Sequence, residues 1–289
     1  MLRQCTTHNA RMPIVTPASS STCADAFAAF SQAMQRAVLI QRVSDKDKEF
    51  HFQNWVDARL DDAGLQHDQP GRNSYPDFTL VHHPEGYEAK GLKWPGRDAS
   101  YDSNSRVPTG LHNGRTIYYV FGRYPKDDRN KEYPVVDLVL CHGDFLNADH
   151  TYVHKNDHVK GFGSYGDLLI RDRKMYVAPT PFILARGTTG TATLIAPADV
   201  EVDGRLDLVG ELVRTEAQRM VIGYTFDLQT NKLTPELAPN PSAGRQHRFC
   251  AYRLKGMGSG PVTMANIQQV EEQLELTDDD APCSGDDDE

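Results

Sequence analysis

The segment from Tyr75 to Leu92 constrains this chain most. Tyr75-Pro76-Asp77-Phe78-Thr79-Leu80-Val81 is β-prone, His82-His83-Pro84-Glu85-Gly86 interrupts it, and Tyr87-Glu88-Ala89-Lys90-Gly91-Leu92 resumes the extended pattern. Proline and glycine punctuate a chain where it turns, so the segment reads as strand, turn, strand. Side chains alternate between the faces of a strand, which puts Glu88 and Lys90 on the same one. A hairpin folding back at Pro84-Glu85-Gly86 then brings Asp77 alongside Glu88. Two carboxylates and an ammonium converge, a set that can hold Mg²⁺ and activate a water against a phosphodiester. Taken singly, Asp77 behind Pro76 reads equally as a turn residue, and Glu88 with Lys90 as a surface pair.

The surroundings supply context. Residues 25–42 are alanine-rich and predict a helix. A second helix is expected from the capping signature Ser44-Asp45-Lys46-Asp47 to a stop at Gly64, with Phe52, Val56 and Leu60 at i, i+4, i+8 and Trp55 beside them. Glu49 lies one turn before Phe52. After the hairpin come two strong strands, Arg115–Phe121 and Val135–Leu140, separated from it by a polar, Gly/Pro-punctuated loop over 93–114. Leu168–Ile170 with Lys174–Val177 predicts another hairpin, and 262–276 a final amphipathic helix through Ile267, Val270 and Leu274. Helix, hairpin, strand, strand is an α/β (α+β) order with a central mixed sheet flanked by helices. The expected organisation is a flexible arm over 1–24, one domain over 25–277 with its core at about 44–145, and a disordered acidic tail over 278–289.

The net charge of −9 argues against a nucleic-acid partner until its distribution is read. Ten of the 40 acidic residues fall between Val270 and Glu289, where there is no lysine or arginine, leaving 31 basic against 30 acidic residues elsewhere. The stretch from Lys90 to Asn130 carries eight Lys/Arg and four acids, so the chain is locally basic just after the carboxylates. No run approaches the ~18 apolar residues needed to span a bilayer. The five scattered cysteines form no disulfide framework, and a reducing cytoplasm is the expected compartment.

Pro76-Asp77, then ten residues, then Glu88-Ala89-Lys90 resembles the signature of the PD-(D/E)XK nuclease superfamily, over roughly residues 44–145. Tyr101–Gly110, Ile117–Tyr124 and Tyr165–Tyr176 resemble stretches of type II restriction endonucleases, extending the likeness to about residue 190. The resemblance implies a restriction-endonuclease-like core. It also implies a Mg²⁺-dependent, sequence-specific double-stranded DNA endonuclease, with Mn²⁺ as a substitute ion, leaving 5′-phosphate and 3′-hydroxyl ends. Asp77, Glu88 and the Ala89 carbonyl would hold the metal, Lys90 would orient the attacking water, and Glu49 would contribute through an outer-shell water or a second metal. A palindromic site met by a homodimer is the expected assembly.

Base edges are read by Arg, Asn and Asp, and phosphates are held by Lys and Ser. On that ground the DNA contacts are sought in Lys93, Arg97, Asp98, Asp102, Ser103, Asn104, Ser105, Arg106, His112, Asn113 and Arg115. Arg171, Arg173 and Lys174 form a second basic group, and Arg245, His247, Arg248, Arg253 and Lys255 a third. His150, His154 and His158 recur at i, i+4, i+8 near Cys141 and His142, but the spacing matches no common zinc pattern. Gly256-Met257-Gly258-Ser259-Gly260 lacks the following Lys-Ser/Thr of a phosphate loop, so no nucleotide cofactor is expected. Two alternatives remain: a structure-specific repair or defence nuclease, and a module on the same fold that binds DNA without cutting it.

Overall fold

A computed structural model describes residues 21–41, 50–68, 75–96, 99–102, 108–125, 132–148, 177–230, 232–258 and 260–265. Cys23, Ala26, Phe27, Phe30 and Ala33, spaced for one helical face, are buried on the first helix, α1 (Ser21–Gln35). This helix begins inside the segment expected as an arm and stops short of residue 42. Ala37 takes a left-handed φ of 52°, and Val38 N–H closes the end on the Ala33 carbonyl at 2.9 Å. The chain beyond it is extended: Leu39–Gln41 forms β1, with Ile40 buried. The second helix, α2 (Phe50–Asp62), buries Phe52, Trp55, Val56 and Leu60 as its period demands, and ends at Gly64 with φ 69°.

The remaining elements are mostly strands. They are β2 (His67–Asp68), β3 (Phe78–Leu80), β4 (Glu85–Trp94), β5 (Ser100–Asp102), β6 (Leu111–His112), β7 (Arg115–Pro125), β8 (Glu132–Pro134) and β9 (Asp137–His142). Two single-turn helices, α3 (Gly143–Leu146) and α4 (Pro181–Leu184), flank β10 (Val177–Pro179). Then follow β11 (Ala185–Arg186), β12 (Ala192–Pro197), β13 (Leu206–Thr215), β14 (Arg219–Asp227), β15 (Lys232–Pro239), β16 (Gln246–Leu254) and β17 (Thr263–Met264). Nine strands make one mixed sheet in the order β13-β16-β12-β9-β7-β4-β3-β2, with β6 also on β7. The β4/β7 and β9/β12 pairs are parallel and the others antiparallel. The sheet therefore runs past residue 145, because β12, β16 and β13 complete one side of it.

Two expectations change, and a third lies mostly outside the described residues. The loop 93–114 is not structureless: β4 continues to Trp94, β5 pairs with β10, and β6 forms a hairpin with β7. Where the last helix was expected, Thr263–Met264 pairs with β11 and Val262 is buried, while 266–276 lies outside the described residues. Only Val177 of the predicted 168–177 hairpin is described, and it belongs to β10. No helix among the described residues is long and apolar enough to cross a membrane.

Alternation along the strands divides the core. Tyr87, Tyr118, Val120, Leu138, Leu140 and Leu194 face α1 and α2. Ile117, Tyr119, Phe121, Val139, Cys141 and Ile195 face the side covered by Tyr101 of β5, Phe145 of α3 and Leu184 of α4. Helix α2 sits close because Gly91 and Gly122, register partners on β4 and β7, leave a hollow for Phe52. A Cβ on Gly122 would lie 2.1 Å from Phe52 Cε2. Gly122→Ala is expected to destabilise the fold by roughly 1–3 kcal/mol through overpacking, read as a lower denaturation midpoint with an unchanged m-value.

Candidate active site

The β3–β4 register pairs Phe78 with Tyr87 and so sets the preceding Asp77 opposite Glu88. Close approach tightens this arrangement: a Cβ on Gly86 would stand 2.5 Å from Pro76 Cγ. The Asp77 N–H donates to Glu88 Oε2 at 3.2 Å, and the Ala89 N–H donates to Asp77 Oδ2 at 2.8 Å. Lys90 Nζ lies 2.8 Å from Glu88 Oε1. Asp77, Glu88 and Lys90 thus converge as the hairpin geometry predicts, on the sheet face that carries Tyr119 and Phe121.

Burial is the main reason the Asp77 carboxyl is pushed up to about 7, and the neighbouring Glu88 charge adds to it. Lys90 and the Ala89 N–H pull the other way without cancelling these effects. Two carboxylates held this close offer hard oxygen donors whose mutual repulsion a divalent cation relieves, so the donor chemistry fits Mg²⁺. Among the described residues no group of three or more His, Cys, Asp or Glu side chains is placed to hold a metal. The carboxylate set is therefore a pair here, and Glu49, the expected third member, lies outside the described residues.

Behind Glu88 is a group of tyrosines that sequence reasoning missed. Tyr75 and Tyr119 hydroxyls lie 2.8 Å apart, the Tyr75 ring meets His112 edge-on at 5.0 Å, and Tyr101 packs on Phe121. The Tyr101 hydroxyl is buried and has no hydrogen-bond partner among the described residues. The opposite face of β4 carries a second titratable network. Burial pushes Glu85 up to about 7, and the Tyr87 hydroxyl donates to it at 2.8 Å. Nothing in the local pattern distinguishes Glu85 from a turn residue, whereas the structure places it at the start of β4.

The structure locates only some of the residues expected to contact DNA. Arg97, Asp98, Ser103, Asn104, Ser105, Arg106, Arg171, Arg173 and Lys174 lie outside the described residues, as do His150, His154 and His158. Only the backbone of Asp102 is described, paired with Val177. Lys93 shares its parity with Tyr87 and Ala89, and so occupies the face of β4 opposite Lys90. Asn113 (φ 49°) and Gly114 (φ 74°) form the two-residue turn between β6 and β7, a hairpin geometry that needs positive φ at both positions. Arg115 Nη1 donates to the Leu80 and His83 carbonyls at 2.8 and 3.0 Å, bracing the β3–β4 turn.

The third basic group is distributed rather than pooled. His247 pairs with Glu216 at 2.7 Å, Arg248 with Glu211 at 3.3 Å, and Arg253 donates to the Gly260 and Gly187 carbonyls. Burial holds His142 down to about 4, and its Nδ1 accepts the Asp144 N–H. Cys141 is buried, with its thiol pushed up by desolvation. His142 is therefore a neutral cap for α3.

No family model matches this chain, nor does any curated protein or any solved structure.

Proposed function

We propose that this protein is a Mg²⁺-dependent DNA endonuclease of the PD-(D/E)XK type, built on a restriction-endonuclease-like core and acting as a homodimer on palindromic double-stranded DNA. The observation that carries the reading is the mutual placement of Asp77, Glu88 and Lys90 on one hairpin, with Lys90 Nζ 2.8 Å from Glu88 Oε1. Asp77 and Glu88 would hold the ion, with Mn²⁺ as a substitute. When bound, it supplies neutralisation of the attacked phosphate and acidification of a water. Glu88 holds Lys90 in place, and Lys90 orients the attacking water and stabilises negative charge growing on the phosphate oxygens. Asp77, its carboxyl pushed up to about 7 by burial and the Glu88 charge, would ionise more readily when a cation arrives.

Digestion of a supercoiled plasmid in Mg²⁺ tests this directly. Discrete linear fragments with 5′-phosphate ends, suppressed by a chelator, are the expected products. No cutting in Mg²⁺ or Mn²⁺ would overturn the reading, and a smear would move it from a sequence-specific enzyme to a nuclease that recognises DNA structure.

A further inference from the structure

We infer that Trp94 is a stacking platform for a nucleic-acid base displaced from its duplex stack; the inference rests on the nuclease reading for the identity of the ligand. Trp94 ends β4 on the same face as Glu88, Lys90 and Leu92, because the four alternate along one strand. It lies four residues beyond Lys90, a span of ~13 Å at the usual strand rise, or about four stacked nucleotides. Leu92 is buried between them, while Trp94 remains 40% exposed. A large aromatic left in solvent along the line of a phosphodiester-cutting site has the reach and the chemistry to meet the same strand.

The ring is also held in place. The Arg123 guanidinium lies 5.4 Å from the Trp94 ring centroid and 4.3 Å from that of Phe182. Arg123 itself is fixed by Asp137, to whose Oδ2 its Nε donates at 2.6 Å. Trp94 therefore rests on a buried, oriented cation that limits its rotamer freedom before any ligand arrives. A pre-ordered indole loses little entropy on binding, and every base offers a π face, so this contact favours an unpaired base without selecting its identity.

Fluorescence separates the platform from the rest of the fold. The chain has two tryptophans, Trp94 and the buried Trp55, which stacks on Phe30 and Phe52. The full chain is titrated in Ca²⁺ with a 20-nucleotide single strand, its blunt duplex, and the duplex carrying one unpaired base. The single strand and the bulged duplex are expected to quench tryptophan emission. Trp94→Leu should remove the quench and weaken those two ligands about tenfold, with less than a twofold change for the paired duplex. Trp94→Phe should restore most of the affinity, which separates a stacking role from a folding defect.

Equal affinity of Trp94→Leu and the parent chain for the single strand would overturn the inference, as would binding without quenching. Cleavage that depends on Glu88 but not on Trp94 would sink the platform alone. Trp94-dependent binding without cleavage in Mg²⁺ or Mn²⁺ would sink the nuclease reading alone.

Discussion

Glu88→Gln is expected to lower Mg²⁺-dependent cleavage at least a thousandfold while the protein stays folded. The substitution keeps the shape of the side chain and an acceptor for the Asp77 N–H, but removes the charge that faces Lys90. Asp77→Asn should act similarly. Lys90→Ala should cost about 10²–10⁴-fold, the range for one positioned charge-stabilising or proton-transfer group. The pH dependence follows from Asp77. Burial and the neighbouring Glu88 charge push its carboxyl up to about 7 in the folded chain, from the 3.8 usual for an aspartate. The folded state therefore binds more protons than the unfolded state between about pH 4 and 7. Its stability contribution is present below that window and is lost as pH rises through about 7. A bound divalent cation favours the ionised carboxylate and offsets that loss. At pH 8 without metal, Asp77→Asn is thus expected to melt above the parent chain, and saturating Mg²⁺ should stabilise only the parent. Thermal melts at pH 5.5 and 8, with and without Mg²⁺, check the sign. A parent melting temperature indifferent to Mg²⁺ at pH 8 would remove the carboxylate pair as an ion site.

What the sequence reveals and what it hides divide by distance along the chain. Asp77, Glu88 and Lys90 are legible because a hairpin and period-2 alternation are local rules, and α2 is legible because its apolar stripe falls within one helix. The same alternation places Lys93 on the far face of β4 from Lys90. Ala37 is different. Alanine favours helix, and its left-handed turn is required by the antiparallel pairing of Ile40 with Tyr133, more than ninety residues on. Strand β5 depends on β10 in the same way, and Arg115 finds its acceptors on carbonyls 32 and 35 residues away. Charge composition cannot show which arginines are already committed. Arg115, Arg123 and Arg253 contribute to a basic sequence without forming an open basic surface.

Arg123 and Asp137 carry the largest expected effect on stability. They are register partners on β7 and β9, and they are 5% and 2% exposed. Both Nε and Nη2 of Arg123 lie 2.6 Å from Asp137 Oδ2, while Oδ1 accepts the Gly190 N–H. Each polar atom of the carboxylate is therefore used, and the guanidinium lies against aromatic rings rather than water. Asp137→Ala would strand a cation in that setting and leave the Gly190 N–H without its acceptor. A loss of about 3–5 kcal/mol is expected, set by the unpaired buried charge rather than by the net value of the ion pair. The double replacement Arg123→Met with Asp137→Leu should recover a large part of it, because removing both charges removes the desolvation penalty, although the Gly190 bond stays lost. Chemical denaturation of the two single variants and the double variant gives the coupling energy. If Asp137→Ala unfolds within about 1 kcal/mol of the parent, the pair is solvated in practice and its structural role fails. The same variant connects stability to the platform: without Asp137 the guanidinium beneath Trp94 is no longer fixed, so base-dependent quenching should fall even where enough protein remains folded to measure it.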